Sequence, residues 1–251
     1  MKINYPENLV FLKEFNSQNT DFKVKLGGYK DGGYALDYRA VVNSNFLISG
    51  GVGSNVRFES DFYDINQNCK IILIDPTTSL LRMIFRGIYH FFRKNQSGFR
   101  SLSDVLNYIF LKKKSLLIKK YLGYSFNLND IIKSYIDSNS VSSVFLKLDI
   151  EGSEYELLPS IIENKSIFSS ICIEFHGLDK DSNVDALKLF IKNLNYDIIH
   201  ISINELSLSE NSVPSILEIS FAPKNCFTTF VLSKFLQNSN TFSNELYFFD
   251  N

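Results

Sequence analysis

The stretch FLISGGVGSNVRFE, Phe46–Glu59, runs a strand-like apolar segment into three glycines within four residues, and then into a helix-like one. Glycine lets a chain turn with positive φ and lets a ligand approach the backbone closely. A strand, a glycine turn and a helix N-terminus together form a common nucleotide cradle. The spacing departs from the dinucleotide fingerprint. Gly50, Gly51 and Gly53 are present, but Val56 stands where that fingerprint places its last glycine. A tight turn without a ligand would have the same local sequence, so the rest of the chain must decide.

Working outward, KIILIDP (Lys70–Pro76) reads as a second buried strand, stopped by Asp-Pro. SVFLKLDIEGSEYELL passes from strand to polar turn to helix, with the turn at Asp149–Ser153. SICIEFHG is a further strand ending in Glu174 and His176. DALKLFIKNLNY has helical periodicity, DIIHISI is strand-like, and ILEISFAP and CFTTFVLS add two strand candidates with no helix between them. Ser54 or Asn55 is the expected N-cap of the first helix. Alternation of this kind predicts an α/β fold: a mostly parallel sheet with helices on both faces and a terminal antiparallel hairpin.

The chain has 251 residues, 45% of them hydrophobic, enough for one sizeable domain over 1–251. No apolar run approaches the roughly 18 residues of a membrane span, and the N-terminus is too polar for a secretory signal. Three scattered cysteines give neither a metal-type CxxC nor an even disulfide framework. A cytoplasmic, reducing location is expected. The Asn, Lys, Ile and Phe usage points to an AT-rich bacterial genome. Net charge is −1, but ten basic residues between Ser79 and Gly123 face only Asp104, so that segment carries +9 and the remainder −10. Both halves of 79–123 read as helices, a basic insertion where a third strand belongs. Residues 1–45 read as an N-terminal arm and a glycine-rich lid, with Asp31 and Tyr34 over the pocket.

In open parallel sheets, ligands bind at the carboxyl ends of the strands near the topological switch. Here those ends carry the glycine turn, Asp75, Asp149, Glu151, Glu174 and His176. In SGGVGSNVRFE, ILIDPT, FLKLDIEGSEYELL, IEFHGL and the upstream DGGYAL, the chain resembles the FkbM-type S-adenosylmethionine-dependent methyltransferases, from about Gly28 to Glu205. That resemblance implies a Rossmann-like class I methyltransferase sandwich with a seven-stranded sheet, S-adenosylmethionine as cofactor, and O-methylation of a sugar or other hydroxylated metabolite such as a capsule precursor. It implies that Gly51, Gly53 and Asn55 form the cofactor loop and that Asp75 accepts both ribose hydroxyls. Glu151 joins them as a cofactor contact. His176, Asp149 and Glu174 are the candidates for the base that methyl transfer to a hydroxyl requires. The acidic residue that many class I methyltransferases carry just before the glycine loop is Ser49 here, and Asp31 or Glu59 is a candidate to take over its contacts to the cofactor amine.

Arg82 and Arg86 are expected to hold a phosphate of a small, anionic acceptor, with Glu205 as a further acceptor contact. A divalent metal on Asp149, Glu174 and His176 is a secondary option. So is peripheral contact of the basic segment with a membrane; no nucleic-acid partner is expected. Two rival readings are an NAD-dependent Rossmann oxidoreductase or epimerase, and a non-catalytic anion- or membrane-binding module on the same fold.

Overall fold

The computed structural model describes residues 7–14, 22–28, 33–92, 97–123, 126–136, 143–203, 214–224 and 247–248. Its centre is a seven-stranded sheet. The strands are β3 (Phe46–Gly50), β4 (Lys70–Ile74), β5 (Ser115–Ile118), β6 (Val144–Leu148), β7 (Phe168–Phe175), β8 (Tyr196–Ile203) and β9 (Leu217–Pro223), in the order β5-β4-β3-β6-β7-β9-β8. Pairing is parallel from β5 through β7 and antiparallel on both sides of β9. This is a mostly parallel α/β sandwich with an antiparallel hairpin at one edge and helices on both faces. A smaller antiparallel sheet pairs β1 (Lys23–Leu26) with β2 (Tyr34–Asp37) and with β10 (Tyr247–Phe248).

Side-chain alternation on the strands builds the core on both faces. On β6, Val144, Leu146 and Leu148 join one apolar cluster and Phe145 the other; on β3, Ile48 and Leu47 divide in the same way. Helices α1 (Tyr38–Asn43) and α2 (Arg57–Ile65) supply residues to the Phe145 side, whereas α5 (Leu128–Tyr135), α6 (Glu154–Glu163) and α7 (Asp181–Leu194) supply the other. Asn127 and Asp130 cap the start of α5 reciprocally, a capping box. α7 ends at Asn195 in the left-handed conformation, φ 56°.

The structure moves several expected boundaries. The 79–123 segment is not wholly helical. It holds α3 (Leu80–Phe92) and α4 (Ser97–Lys112), but then β5, which pairs in parallel with β4 and is the missing third strand. The antiparallel element is β9, threaded between β7 and β8, and CFTTFVLS lies outside the described residues. Val56, not Ser54 or Asn55, is the N-cap of α2, and it makes no side-chain cap bond. The strands on either side of the paired glycines, β1 and β2, are antiparallel partners from Lys23↔Asp37 to Leu26↔Tyr34.

Candidate active site

The strand order turns outward in two directions from β3 and β6, so the topological switch lies between them. Gly51 begins the turn there at φ 75°, and a Cβ on it would come 1.5 Å from the Asp149 carbonyl oxygen. No larger residue fits without separating the two strand ends. Gly53, at φ 57°, is different: a Cβ there would meet nothing within 4 Å. Its position is therefore open on the cleft side, as a loop passing close to a ligand requires. The cleft beyond it holds about 470 Å³ and is lined by Gly51, Gly53, Asn55, Asp75, Asp149 and His176, among others.

Asp75 is buried at the end of β4 and ties the turn together. Its Oδ2 accepts the Gly53 N–H at 2.6 Å. Its Oδ1 accepts from Thr77 N (2.5 Å), Thr77 Oγ1 (2.7 Å) and Thr78 N (3.1 Å). Oδ1 thus meets three donors and Oδ2 one, so Oδ2 is the less committed oxygen and the one left to meet a ligand hydroxyl. Asn55 lines the same wall, with Oδ1 accepting from Arg57 N at 3.3 Å.

The opposite wall is ionic. Glu154, fully buried at the first turn of α6, accepts the Gly152 N–H at 2.8 Å and the His176 N–H at 2.6 Å, and its Oε1 lies 3.3 Å from His176 Nδ1. His176 Nε2 faces Glu151 at 3.6 Å and Glu174 at 3.8 Å. Burial opposes the imidazolium, but Glu154, Glu174 and Asp149 outweigh it and raise His176 to about 9. Glu174 is buried and raised to about 6, first by burial and then by Asp149. Tyr34 donates to its Oε2 at 3.2 Å. Burial, then Asp149 and Glu174, push the Tyr34 phenol well up, so it stays a donor. Glu151 sits at the rim with a left-handed backbone, φ 55°.

Asp149, Glu151 and His176 can each place one donor atom within 4.8 Å of the others. Carboxylates and an imidazole at that separation fit a divalent cation, which would compete with the His176 proton. This set replaces the expected one, with Glu151 in the place of Glu174.

Other expectations shift as well. Tyr34 is not a lid. It is buried on β2 behind the carboxylates, with its ring 5.5 Å from the Lys147 ammonium. Asp31 and Glu205 lie outside the described residues, as does the Arg86 side chain. Arg82 is exposed at the start of α3; its guanidinium reaches the Thr77 carbonyl at 3.4 Å and does not line the cleft. Glu59 is buried and raised by that burial. Its Oε1 accepts from Ser49 at 2.5 Å, so its carboxyl reaches back to the strand position that lacks an acid.

Two residues were passed over. Lys147 is buried on β6, donates to the Gly51 carbonyl at 3.1 Å and lies 3.6 Å from Asp149. It spans the switch point, and the signal was a single charge in the apolar run VFLKL. Glu154 was hidden in a motif that reads as helix capping. The buried thiols of Cys69 and Cys172 are each pushed up by burial to about 12, which leaves them unreactive.

No protein-family model matches the chain, and no curated protein matches its sequence. Solved structures similar to parts of it include a precorrin-6y C5,15-methyltransferase from Geobacter metallireducens, with TM-score 0.41 and 12% identity over 75% of this chain and 86% of that one. A fibrillarin/Nop5p complex gives TM-score 0.39 and 10% identity over 78% and 87%. The METTL16 methyltransferase domain gives TM-score 0.38 and 10% identity over 72% and 61%. These scores carry no weight for function, which must be read from this chain's own residues.

Proposed function

We propose that the protein is an S-adenosylmethionine-dependent O-methyltransferase of FkbM type, acting on a small hydroxylated acceptor. The observation that carries this is the junction of sheet order and cleft. The antiparallel strand β9 lies between β7 and β8, and an open glycine turn with a carboxylate at the next strand end faces a wall of acids. Dinucleotide Rossmann sheets run parallel in the order 3-2-1-4-5-6 and carry a third glycine; β9 and Val56 depart from both.

The cofactor would supply an electrophilic methyl group on a sulfonium. This chain's residues would bind and orient. Gly51 and Gly53 keep the turn free of side chains. Asp75 fixes that turn and offers Oδ2 to a hydroxyl. Glu174, half-titrated near pH 6, is ionised at neutral pH and is placed to take the acceptor's proton. His176 keeps its own proton up to about pH 9, so it has no free lone pair to act as base. It instead offers a positive charge beside Glu174, suited to an anionic acceptor such as a phosphorylated sugar or capsule precursor. Approach geometry does most of the remaining work in a displacement at carbon.

Incubating the protein with S-adenosylmethionine and a panel of phosphorylated and nucleotide-linked sugars, read by mass, tests this reading. A methylated product formed together with S-adenosylhomocysteine supports it. Methylation at nitrogen only, on any acceptor, would remove the O-methylation assignment.

A further inference from the structure

Helices α3 and α4 pack against each other, yet each leaves large apolar residues in solvent. On α3 these are Leu81, Phe85 and Ile88, and on α4 Leu106, Ile109 and Phe110. The spacings are four and three residues, then three and one, so each set occupies one helical face. Phe85 is 68% exposed and Leu106 67%. Helices that only cover a sheet turn such residues inward, and large exposed apolar residues repeated along one helical face mark a contact surface.

Among the described side chains of residues 79–123, the exposed charges have one sign. Arg82, Lys112, Lys113, Lys114, Lys119 and Lys120 are all exposed. The segment's only acid, Asp104, is bonded to Arg57 of α2 at 2.6 Å, so it is neutralised by the body of the protein. Phe110 also packs on Tyr63 of α2, with ring centroids 5.5 Å apart, which anchors the hairpin to the domain. Exposed Tyr121 extends the surface toward the cleft, whose wall it forms with Lys120.

We propose that the α3–α4 hairpin and the lysine-rich connection after it form a docking surface for an anionic lipid bilayer. Exposed Leu81, Phe85 and Leu106 on two helices that pack together, and the exposed Lys112–Lys114 run where α4 ends, carry it. Lysine is depleted at protein–protein interfaces. Beside an apolar stripe it is the composition of a helix that lies in the headgroup plane, with apolar side chains inserted and ammonium groups at the phosphates. Neither helix is long and apolar enough to cross a membrane, so the hairpin lies on the surface. Thr77, just before α3, and Lys120 and Tyr121, after β5, line the cleft, so docking would bring the cleft rim to headgroup level. The proposal stands independently of the reaction assigned to the cleft.

Vesicle flotation tests it. The wild type should float with equimolar phosphatidylcholine and phosphatidylglycerol, not with phosphatidylcholine alone, and raised salt should release it. Phe85→Ser or Leu106→Ser should each weaken binding about tenfold. The triple variant Lys112→Gln, Lys113→Gln, Lys114→Gln should weaken it about a hundredfold, roughly fivefold per charge. All five side chains are exposed, so circular dichroism should report an unchanged fold, and the lysine variant decides if an apolar variant aggregates. Wild-type protein that stays unbound on phosphatidylglycerol vesicles overturns the proposal, as does a lysine variant that binds equally well. A wild-type dimer in sedimentation equilibrium that Phe85→Ser dissolves would assign the face to a second copy of the chain and overturn it too.

Discussion

Glu154 grips His176 at two points: its Oε1 accepts the His176 backbone N–H at 2.6 Å and lies 3.3 Å from the ring Nδ1. One fully buried carboxylate thus sets both where the β7 end sits and how strongly the imidazole holds its proton. Glu154→Gln can keep its oxygen on the His176 amide, but it turns an NH2 toward the Gly152 N–H and removes the charge. The His176 ring, followed by NMR, should then titrate at least about one unit below its wild-type value near 9. An unshifted ring would show that Glu154 does not hold that proton.

Asp75 joins the glycine turn to the β4 end through four donors. Asp75→Asn can keep its oxygen on the Thr77 and Thr78 amides while turning an NH2 toward the Gly53 N–H, donor against donor. Affinity for S-adenosylmethionine should fall at least about tenfold, one charge-assisted hydrogen bond or more. Asp75→Ala should also lower stability by about 2–4 kcal/mol, since it leaves several backbone amides without their acceptor. Calorimetric binding and urea titration read the two effects. Unchanged affinity in folded Asp75→Asn would remove this residue from the cofactor site.

His200, on β8, is pushed down to about 4, first by burial and then by Lys23 and Lys25 on β1. A depressed native pKa contributes stability that is complete above the unfolded value, near 6.5, and is lost as pH falls through the native one. By pH 4.5 the wild type should have lost about 2–3 kcal/mol on this account. His200→Gln should lose correspondingly less between pH 7.5 and 4.5, compared by urea midpoints. Equal losses in both proteins would mean that this imidazole is not held neutral.

Chelation separates the two uses of Asp149, Glu151 and His176. With Glu174 as base and His176 as a fixed charge, methyl transfer should survive exhaustive EDTA treatment. If activity disappears and returns with a divalent cation, those three residues serve the ion.

The central strands were legible because parallel strands buried on both faces leave continuous apolar runs, as in FLIS, KIILI and SICIEF. Asp75, Asp149, Glu174 and His176 were legible for a related reason: a polar residue directly after such a run falls at the carboxyl end of the sheet. β5 was not, because SLLI has four residues at a sheet edge, is only partly buried, and is bracketed by lysines. The insertion of β9 between β7 and β8 depends on pairing that periodicity does not encode. Tyr34 was misplaced because its flanking glycines suggested a loop, whereas its ring is fixed by burial against Phe58, 5.5 Å away. Lys147 follows from the strand period, which puts it on the Phe145 face toward Tyr34, but only once β6 is known to stand beside the glycine turn.

The most direct test is calorimetric titration of the purified protein with S-adenosylmethionine, with NAD as the parallel ligand. The open backbone at Gly53 predicts saturable binding of S-adenosylmethionine alone. Gly53→Ala should weaken it at least about tenfold, because its methyl would project into the cleft, at a strain of roughly 1–2 kcal/mol for a left-handed residue. Saturable heat with NAD and none with S-adenosylmethionine would contradict the account.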